Sequence, residues 1–238
     1  MDLVFVHGHP FDPTMWQPQV EHFKKSNRVI APTLRGYGQN RTSPDTFADF
    51  AHDLAKETEK AIMIGLSMGG QVVMEFHRLY PERVRAMVLV ATTAKAEENK
   101  AMRRAMAARL RKEGMAPYTR ENIDRMVLPQ NEEAHAYIEK MMLATGPEGA
   151  AKAQEARAER PDYREMLRNT DVPTLIIVGS DDTYTPVPEA ANLQQSMRNA
   201  GIHVIEKAAH LPNLEQPKEF NAALEDFIAE TTAGEPRR

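Results

Sequence analysis

The chain has 238 residues, a formal net charge of −4 and no cysteine. Its length is enough for one compact domain that buries a sizeable core, with or without an inserted subdomain. The lack of cysteine excludes disulfides, zinc–thiolate sites and a cysteine nucleophile, and the mildly acidic balance predicts no nucleic-acid partner.

The start of the chain bears on where the protein is found. The first residues enter an apolar, strand-like segment directly, without the basic start and cleavage site of a signal peptide. No apolar run approaches the roughly 20 residues that a membrane-spanning helix needs. We therefore expect a cytoplasmic protein with no membrane partner. Composition does not determine the oligomeric state, so a homo-oligomer stays open.

Short apolar runs predict six strands along the chain, at residues 3–6, 28–31, 61–64, 84–90, 174–178 and 202–206. Helices are predicted among them at about residues 45–59, 71–80, 188–199 and 217–230, the first with a capped start at Ser43-Pro44-Asp45. This alternation predicts an α/β fold with a mostly parallel sheet of about six strands covered by helices. Residues 233–238 are predicted to be disordered.

A long helical stretch interrupts this alternation after the fourth predicted strand. Four helices are predicted there, near residues 95–113, 120–127, 131–144 and 148–159, separated by glycine and proline. We divide the chain accordingly into an α/β core, residues 1–92 and 171–238, and an inserted helical cap, residues 93–170.

A Gly-Leu-Ser-Met-Gly sequence at residues 65–69 joins the third predicted strand to a helix. In this setting a sharp turn strains the central residue and lifts its hydroxyl clear of the sheet, as a nucleophilic serine requires. Gly65 and Gly69 fit because the strand and helix backbones crowd each other there. Ser67 is therefore the candidate nucleophile, although these five residues alone also fit an ordinary turn.

An acid and a histidine come later in the chain, each just after a predicted strand. Asp181 and Asp182 follow the fifth strand, and His210 follows the sixth. Parallel strands bring the loops at their carboxyl ends to one edge of the sheet, so we expect these side chains to meet Ser67 there. Nucleophile, acid and histidine stand in the order of the α/β-hydrolase catalytic triad.

The chain resembles the α/β-hydrolases, and among them the small carboxylesterases and 3-oxoadipate enol-lactonase-like hydrolases. Five stretches carry the resemblance: His7-Gly8-His9-Pro10, Leu34-Arg35-Gly36-Tyr37-Gly38, residues 65–70, Gly179-x-x-Asp182-x-x-x-Pro186 and residues 209–217. The chain departs from the family pattern at Thr33, where relatives often carry aspartate. It also lacks residues for the usual N-terminal hairpin, which is why about six strands are expected.

The resemblance implies a role for each member of the triad. Ser67 would attack a carbonyl carbon, and His210 would take up its proton and return it to the leaving group. Asp182 would orient the imidazole. The family spacing favours Asp182 over its neighbour Asp181, which would then be a turn residue bonded to its own backbone.

The oxyanion hole would consist of two backbone N–H groups. Met68, directly after the nucleophile, supplies one, and the resemblance assigns the other to His9, after the first strand. Phe11 and Trp16 either line the pocket or pack in the core. The resemblance implies no cofactor. We expect no metal, because the other histidines and carboxylates lack a metal-ligand spacing: His7, His9, His203, Asp49 and Asp53.

The cap is expected to close over the substrate and exclude water. Its methionines either form an adaptable pocket wall or pack beneath the cap helices: Met102, Met106, Met126, Met141 and Met142. One basic side chain turned inward could hold a substrate carboxylate, but most should lie on solvated helix faces: Lys95, Lys100, Arg103, Arg104, Arg109, Arg111, Lys112, Arg120 and Arg125. The sequence does not single one out.

These features together predict a serine hydrolase that cleaves a small-molecule ester or lactone through an acyl-enzyme on Ser67. A dehalogenase or epoxide hydrolase is disfavoured, because it would carry aspartate at that position. A carbon–carbon bond hydrolase, a thioesterase and a cofactor-free perhydrolase stay open on the same triad. A non-catalytic ligand receptor with the hydrolase fold stays open too.

Overall fold

The fold is built on one sheet of six parallel strands, seen in a computed structural model that describes residues 1–233. The strands are β1 (Asp2–Val6), β2 (Arg28–Ile30), β3 (Ala61–Leu66), β4 (Val84–Val90), β5 (Thr174–Gly179) and β6 (Ala200–Ile205). Their order across the sheet is β2-β1-β3-β4-β5-β6. The predicted α/β fold with its six strands is confirmed.

The strand register brings the carboxyl ends of neighbouring strands level with each other. Val6 at the end of β1 pairs with Gly65 of β3, and Leu66 pairs with Val90 at the end of β4. Strands β3 and β5 are buried along their whole length, which explains their uninterrupted apolar sequences. The loops that follow β1, β3, β5 and β6 therefore emerge at one edge of the sheet.

Helices cover both faces of the sheet and fill the interval between β4 and β5. Before β4 lie α1 (Gln17–Phe23), α2 (Ala48–Glu57) and α3 (Met68–Leu79). The interval contains α4 (Lys100–Glu113), α5 (Met115–Met126), α6 (Glu132–Ala144), α7 (Pro147–Ala158) and α8 (Arg164–Arg168). After β5 come α9 (Val187–Gln195), α10 (Pro212–Glu215) and α11 (Pro217–Thr232), and 3₁₀ turns occupy Pro13–Trp16 and Pro81–Arg83.

Some helix boundaries differ from the sequence-based prediction. Helix α2 begins at Ala48 rather than at the predicted cap of Asp45. The reason is Asp49, whose Oδ2 atom accepts the N–H groups of Asp45 and Thr46 at 2.8 and 2.9 Å and holds them in a turn. Helix α9 ends at Gln195 instead of residue 199, and the short helices α1, α8 and α10 were not predicted.

Apolar side chains form one core on each face of the sheet. The first core contains Phe5 and Trp16 and continues into the inserted helices through Met142. The second contains Phe50 and, from the inserted segment, Tyr163. The helices between β4 and β5 thus share both cores with the sheet, and the division of the chain into core and cap stays a prediction.

Within residues 1–233, no helix is both long enough and apolar enough to span a bilayer. The predicted disorder of the C-terminal tail falls, apart from Ala233, outside the described residues.

Candidate active site

Ser67 occupies a strained turn between β3 and α3. Its φ and ψ angles are 54° and −115°, a backbone conformation that L-amino acids rarely adopt. A Cβ atom on Gly65 would overlap the backbone of Gly69, and one on Gly69 would overlap the carbonyl oxygen of Val6. Because the backbones approach so closely, only glycine fits at either position, and the serine is held at the tip of the turn.

Three hydrogen bonds fix the backbone of Ser67. Its N–H group donates to the carbonyl oxygen of Val90 at 2.8 Å, at the end of the neighbouring strand β4. Its carbonyl oxygen accepts the hydroxyl of Thr92 at 2.7 Å and the N–H group of Gln71 at 3.2 Å. The position of the hydroxyl thus depends on the sheet and on α3 together.

Asp182 and His210 form a buried hydrogen bond across two loops. The Oδ2 atom of Asp182, after β5, lies 2.9 Å from the Nδ1 atom of His210, after β6. The Asp182 carboxylate also accepts the Tyr184 N–H at 2.7 Å and the Thr185 hydroxyl at 2.6 Å. Asp181 instead is exposed and accepts the hydroxyl of Ser180 at 2.7 Å. Of the two adjacent aspartates, Asp182 faces the histidine.

The surroundings of Asp182 favour its ionised form. Burial by itself raises the pKa of the carboxyl, but the attraction of His210 and the hydrogen bonds from Thr185 outweigh it, so the net pKa is lowered. The side chain is an anion at neutral pH and can only accept hydrogen bonds. The proton between the two groups therefore belongs to Nδ1 of His210, which leaves Nε2 available as a base.

One cavity of about 390 Å³ brings the candidate residues together. Ser67, His210 and His9 all line it. Helices α4, α5 and α7 complete its wall, through residues such as Met106, Tyr118 and Gln154. The inserted segment therefore covers the edge of the sheet where the loops after β1, β3 and β6 meet.

Of the two predicted oxyanion-hole residues, Met68 directly follows Ser67 and His9 lines the same cavity. Met68 is the first residue of α3, so its N–H group belongs to the turn whose donors have no intrahelical acceptor. The N-terminal end of the helix dipole favours negative charge there. His9 follows β1 and lines the cavity beside Ser67.

The His9 side chain is tied into a buried network. Its Nε2 atom lies 3.0 Å from the Gln154 amide nitrogen, a donor, so Nε2 is the acceptor and the ring proton sits on Nδ1. Nδ1 in turn lies 2.7 Å from the hydroxyl oxygen of Tyr37. Burial, followed by the positive charges of Arg157 and Arg103, lowers the pKa of His9 well below its usual value. A neutral imidazole therefore connects α7 to the loop after β1.

Three residues at or near the site were not assigned a role from the sequence. Gln154 and Arg157 lie on α7 and line the cavity, although their stretch of alternating alanine and charged residues is typical of an exposed helix. Glu215 belongs to a stretch that carried the family resemblance, and its carboxylate accepts the N–H groups of Ala209 at 2.7 Å and Leu128 at 2.8 Å. It joins the loop of His210 to the end of α5.

The residues considered as metal ligands are bonded to other protein groups. His7 is buried, its Nε2 atom accepts the N–H of Leu34 at 3.1 Å, and burial lowers its pKa to about 4. His203 pairs with Glu219, and Asp53 binds Arg35. Among residues 1–233, no three His, Cys, Asp or Glu side chains lie close enough together to hold a metal ion.

The structure also shows which of the candidate pocket residues line the cavity and which pack in the core. Phe11 and Trp16 are fully buried in the first core and take no part in lining the cavity. Three methionines of the inserted segment line the cavity, namely Met102, Met106 and Met126, whereas Met141 and Met142 pack in the core. Of the nine candidate basic residues in the inserted segment, Arg103 and Arg125 line the cavity.

Comparisons with known proteins extend over nearly the whole chain. The model of the alpha/beta hydrolase family matches residues 3–223. The chain is similar to 3-oxoadipate enol-lactonase 2 of Acinetobacter baylyi, with 31% identity over 94% of this chain and 86% of that protein.

Two solved structures resemble the chain along its length. A thermophilic esterase from Thermogutta terrifontis, solved with malate bound, has 35% identity and a TM-score of 0.93, over 97% of this chain and 90% of that one. The enol-lactonase from Burkholderia xenovorans LB400 has 25% identity and a TM-score of 0.86, over 96% of this chain and 91% of that one.

Proposed function

The chain belongs to the alpha/beta hydrolase family, and on this basis we propose that it hydrolyses a small carboxylic ester or lactone, with Ser67, His210 and Asp182 as its catalytic triad. One observation carries the proposal. The hydrogen bond from His210 to buried Asp182 lies at the wall of the cavity that Ser67 also lines. A base with a fixed tautomer in the same cavity as a serine in a strained turn supports activation of the hydroxyl for attack on a carbonyl carbon.

The proposed reaction has two halves. In the first, His210 takes the hydroxyl proton as Ser67 Oγ bonds to the carbonyl carbon, and the tetrahedral intermediate expels an alcohol that receives this proton. In the second, His210 deprotonates a water molecule that attacks the acyl carbon, and the serine leaves with its proton restored. A lactone follows the same path, except that the leaving hydroxyl stays attached to the acyl group.

The negative charge on the carbonyl oxygen would be stabilised by the backbone N–H groups of Met68 and His9. Donors of this kind contribute about 3 kcal/mol each in well-studied hydrolases. Asp182 would act indirectly, because its carboxylate holds the imidazole in one orientation and stabilises the imidazolium that forms. The side chain of His9 is engaged with Tyr37 and Gln154, so only its main chain is assigned to the reaction.

The substrate is proposed to be small. A cavity of about 390 Å³ is near the lower end of the range for small-molecule sites. The wall that α4, α5 and α7 contribute would exclude bulk water from the carbonyl group. The related enol-lactonase and esterase support a lactone or an ester as the bond to be cleaved.

The test combines turnover with active-site labelling. Wild-type protein is expected to release 4-nitrophenol from 4-nitrophenyl acetate, to open a simple lactone, and to be labelled at Ser67 by a fluorophosphonate. Ser67→Ala should lose all three properties while remaining folded. A wild-type protein that neither turns over these substrates nor accepts the label would instead support a non-catalytic receptor. Faster turnover of thioesters or of 1,3-diketones than of oxygen esters would assign the triad to thioesterase or carbon–carbon bond chemistry.

A further inference from the structure

Arg157 on α7 is a buried cation without a carboxylate partner. It is only 8% exposed, and its Nε atom donates to the Gln71 side-chain oxygen at 3.3 Å. Two neighbouring arginines do have an acidic partner, because Arg103 and Arg160 lie 2.6 and 3.4 Å from Glu97. Within residues 1–233, no aspartate or glutamate lies within 4.0 Å of the Arg157 guanidinium.

The cluster formed by Arg103, Arg157, Arg160 and Glu97 has a net positive charge. The guanidinium groups of Arg103 and Arg160 share the carboxylate of Glu97, and that of Arg157 has none, whereas buried charges in proteins are normally paired. Burial, and after it the repulsion of Arg103 and Arg160, lowers the pKa of Arg157 to about 9. The guanidinium is still protonated at neutral pH, so a bound anion would relieve an unfavourable arrangement.

This unpaired charge faces the proposed reaction centre. Arg157 and Gln71 line the same cavity as Ser67 and His210. Gln71 lies one turn after Ser67 on α3, and a helical turn advances about 5.4 Å. The hydrogen bond to Gln71 therefore ties the guanidinium to the first turn of the helix that follows Ser67.

The chemistry of the side chain indicates what it binds. A guanidinium group offers five N–H donors in a planar fork that matches the two oxygens of a carboxylate. Among the residues that the structure describes, only the Nε donor of Arg157 has a partner, the side chain of Gln71. Both Nη atoms are thus available to a ligand in the cavity.

We propose that Arg157 binds a free carboxylate of the substrate, so that the protein acts on esters or lactones that carry a carboxylate a short carbon chain away from the scissile carbonyl. The inference rests on the proposed hydrolysis and adds the class of acyl group. Arg157 is then a specificity-determining residue, separate from the triad.

The first experiment measures a preference rather than a rate. Monomethyl glutarate and methyl 5-methylhexanoate have the same chain length, but one ends in a carboxylate and the other in an isopropyl group of similar shape. The ratio of their kcat/KM values, followed by proton release, should favour the charged ester in wild type. Arg157→Met should lower that ratio about 10- to 100-fold, the range expected for losing a hydrogen-bonded ionic contact. Arg157→Lys should lower it less.

A matched control is available on the exposed face of α4. Arg104 pairs with Glu159 at the surface, and Arg104→Met removes the same side-chain charge outside the cavity. This variant should keep the wild-type ratio. An unchanged ratio in Arg157→Met, or an equal fall in Arg104→Met, would overturn the proposal.

A binding measurement separates this inference from the proposed function. With Ser67→Ala protein, which cannot turn over substrate, glutarate should raise the Tm, and inorganic phosphate at the same concentration should not. The added Arg157→Met substitution should abolish the glutarate shift. It should not lower the Tm of the free protein, because it removes an unpaired buried charge. If hydrolysis of both esters fails but this binding pattern is seen, the proposed function falls and the carboxylate site stands. Without an Arg157-dependent shift, the site falls.

Discussion

The Nδ1 atom of His210 lies 2.9 Å from the Oδ2 atom of Asp182, and their side chains are only 4% and 0% exposed. The two residues come from loops that follow neighbouring parallel strands, β5 and β6. A charge-assisted hydrogen bond shielded from water in this way fixes both the tautomer and the orientation of the ring. The proposed catalysis depends on this contact.

Replacing Asp182 by asparagine should reduce kcat by about three to four orders of magnitude with little effect on the fold. The asparagine NH2 group can donate to Nδ1, which turns this nitrogen into an acceptor, moves the ring proton to Nε2 and removes the base. Asp181→Asn is the matched control, since the Asp181 side chain is exposed and accepts the hydroxyl of Ser180 in its own loop. It should stay within about threefold of wild type. Equal losses in the two variants would contradict the assignment.

Ser67→Ala and Ser67→Gly should both lose turnover by at least about four orders of magnitude, but they should differ in stability. Alanine keeps the strained φ of 54°, whereas glycine adopts it freely. We expect Ser67→Gly to be more stable than Ser67→Ala by about 1 kcal/mol, after the greater chain entropy of glycine is counted. Urea unfolding of the two variants measures the difference. Equal stability would mean that the turn stores no strain.

Gly65→Ala should lower the free energy of unfolding by about 3 kcal/mol and reduce activity as well. Its new Cβ would overlap the backbone of Gly69, so the turn that carries Ser67 must shift. The control is Gly201→Ala in β6, where the nearest atom to the new Cβ is Leu175 Cδ1 at 3.9 Å. That change should be neutral or stabilising by about 0.5 kcal/mol. Thermal unfolding and turnover are measured for both variants. A Gly65→Ala protein as stable and active as Gly201→Ala would contradict the prediction.

Glu215 should make the stability of the protein depend on pH. Burial raises the pKa of its carboxyl to about 7, above the ordinary value of 4.5, even though two backbone N–H groups donate to it. The folded protein thus holds a proton that the unfolded chain releases between these two values. The stability that Glu215 contributes is complete below pH 4.5 and declines as the pH rises toward 7, by at most on the order of 3 kcal/mol.

Glu215→Gln removes this titration. The free energy of unfolding of wild type, relative to that of this variant, should therefore fall as the pH rises from 4.5 to 7.5. Urea unfolding at several pH values measures it. Glu230→Gln, at an exposed position of α11, should show no such shift. A wild-type advantage that grows with pH would mean that the two N–H groups stabilise the carboxylate more than burial opposes it.

Much of the fold could be predicted because buried parallel strands have a recognisable local sequence pattern. Strands β3 and β5 are covered on both faces and read as unbroken apolar runs, so their positions follow from sequence alone. Helix α1 has a weaker sequence pattern, because it has only seven residues and no side-chain cap. The start of α2 depends on the Asp49 carboxylate, which accepts the N–H groups of Asp45 and Thr46. Helix propensities do not include such side-chain hydrogen bonds.

The sequence by itself identified Ser67 and His210 as candidates. A glycine-flanked serine after a strand and a histidine after the last strand are local patterns typical of a hydrolase site. The family spacing favoured Asp182 over Asp181. Only the tertiary structure shows which of the two meets the imidazole, since adjacent residues point in different directions and the loop geometry decides it. The same holds for Arg157, one of many charged residues on the inserted helices. Its burial depends on how α7 packs against α4 and on its contact with Gln71 of α3, and contacts between distant segments are not encoded in any short stretch of sequence.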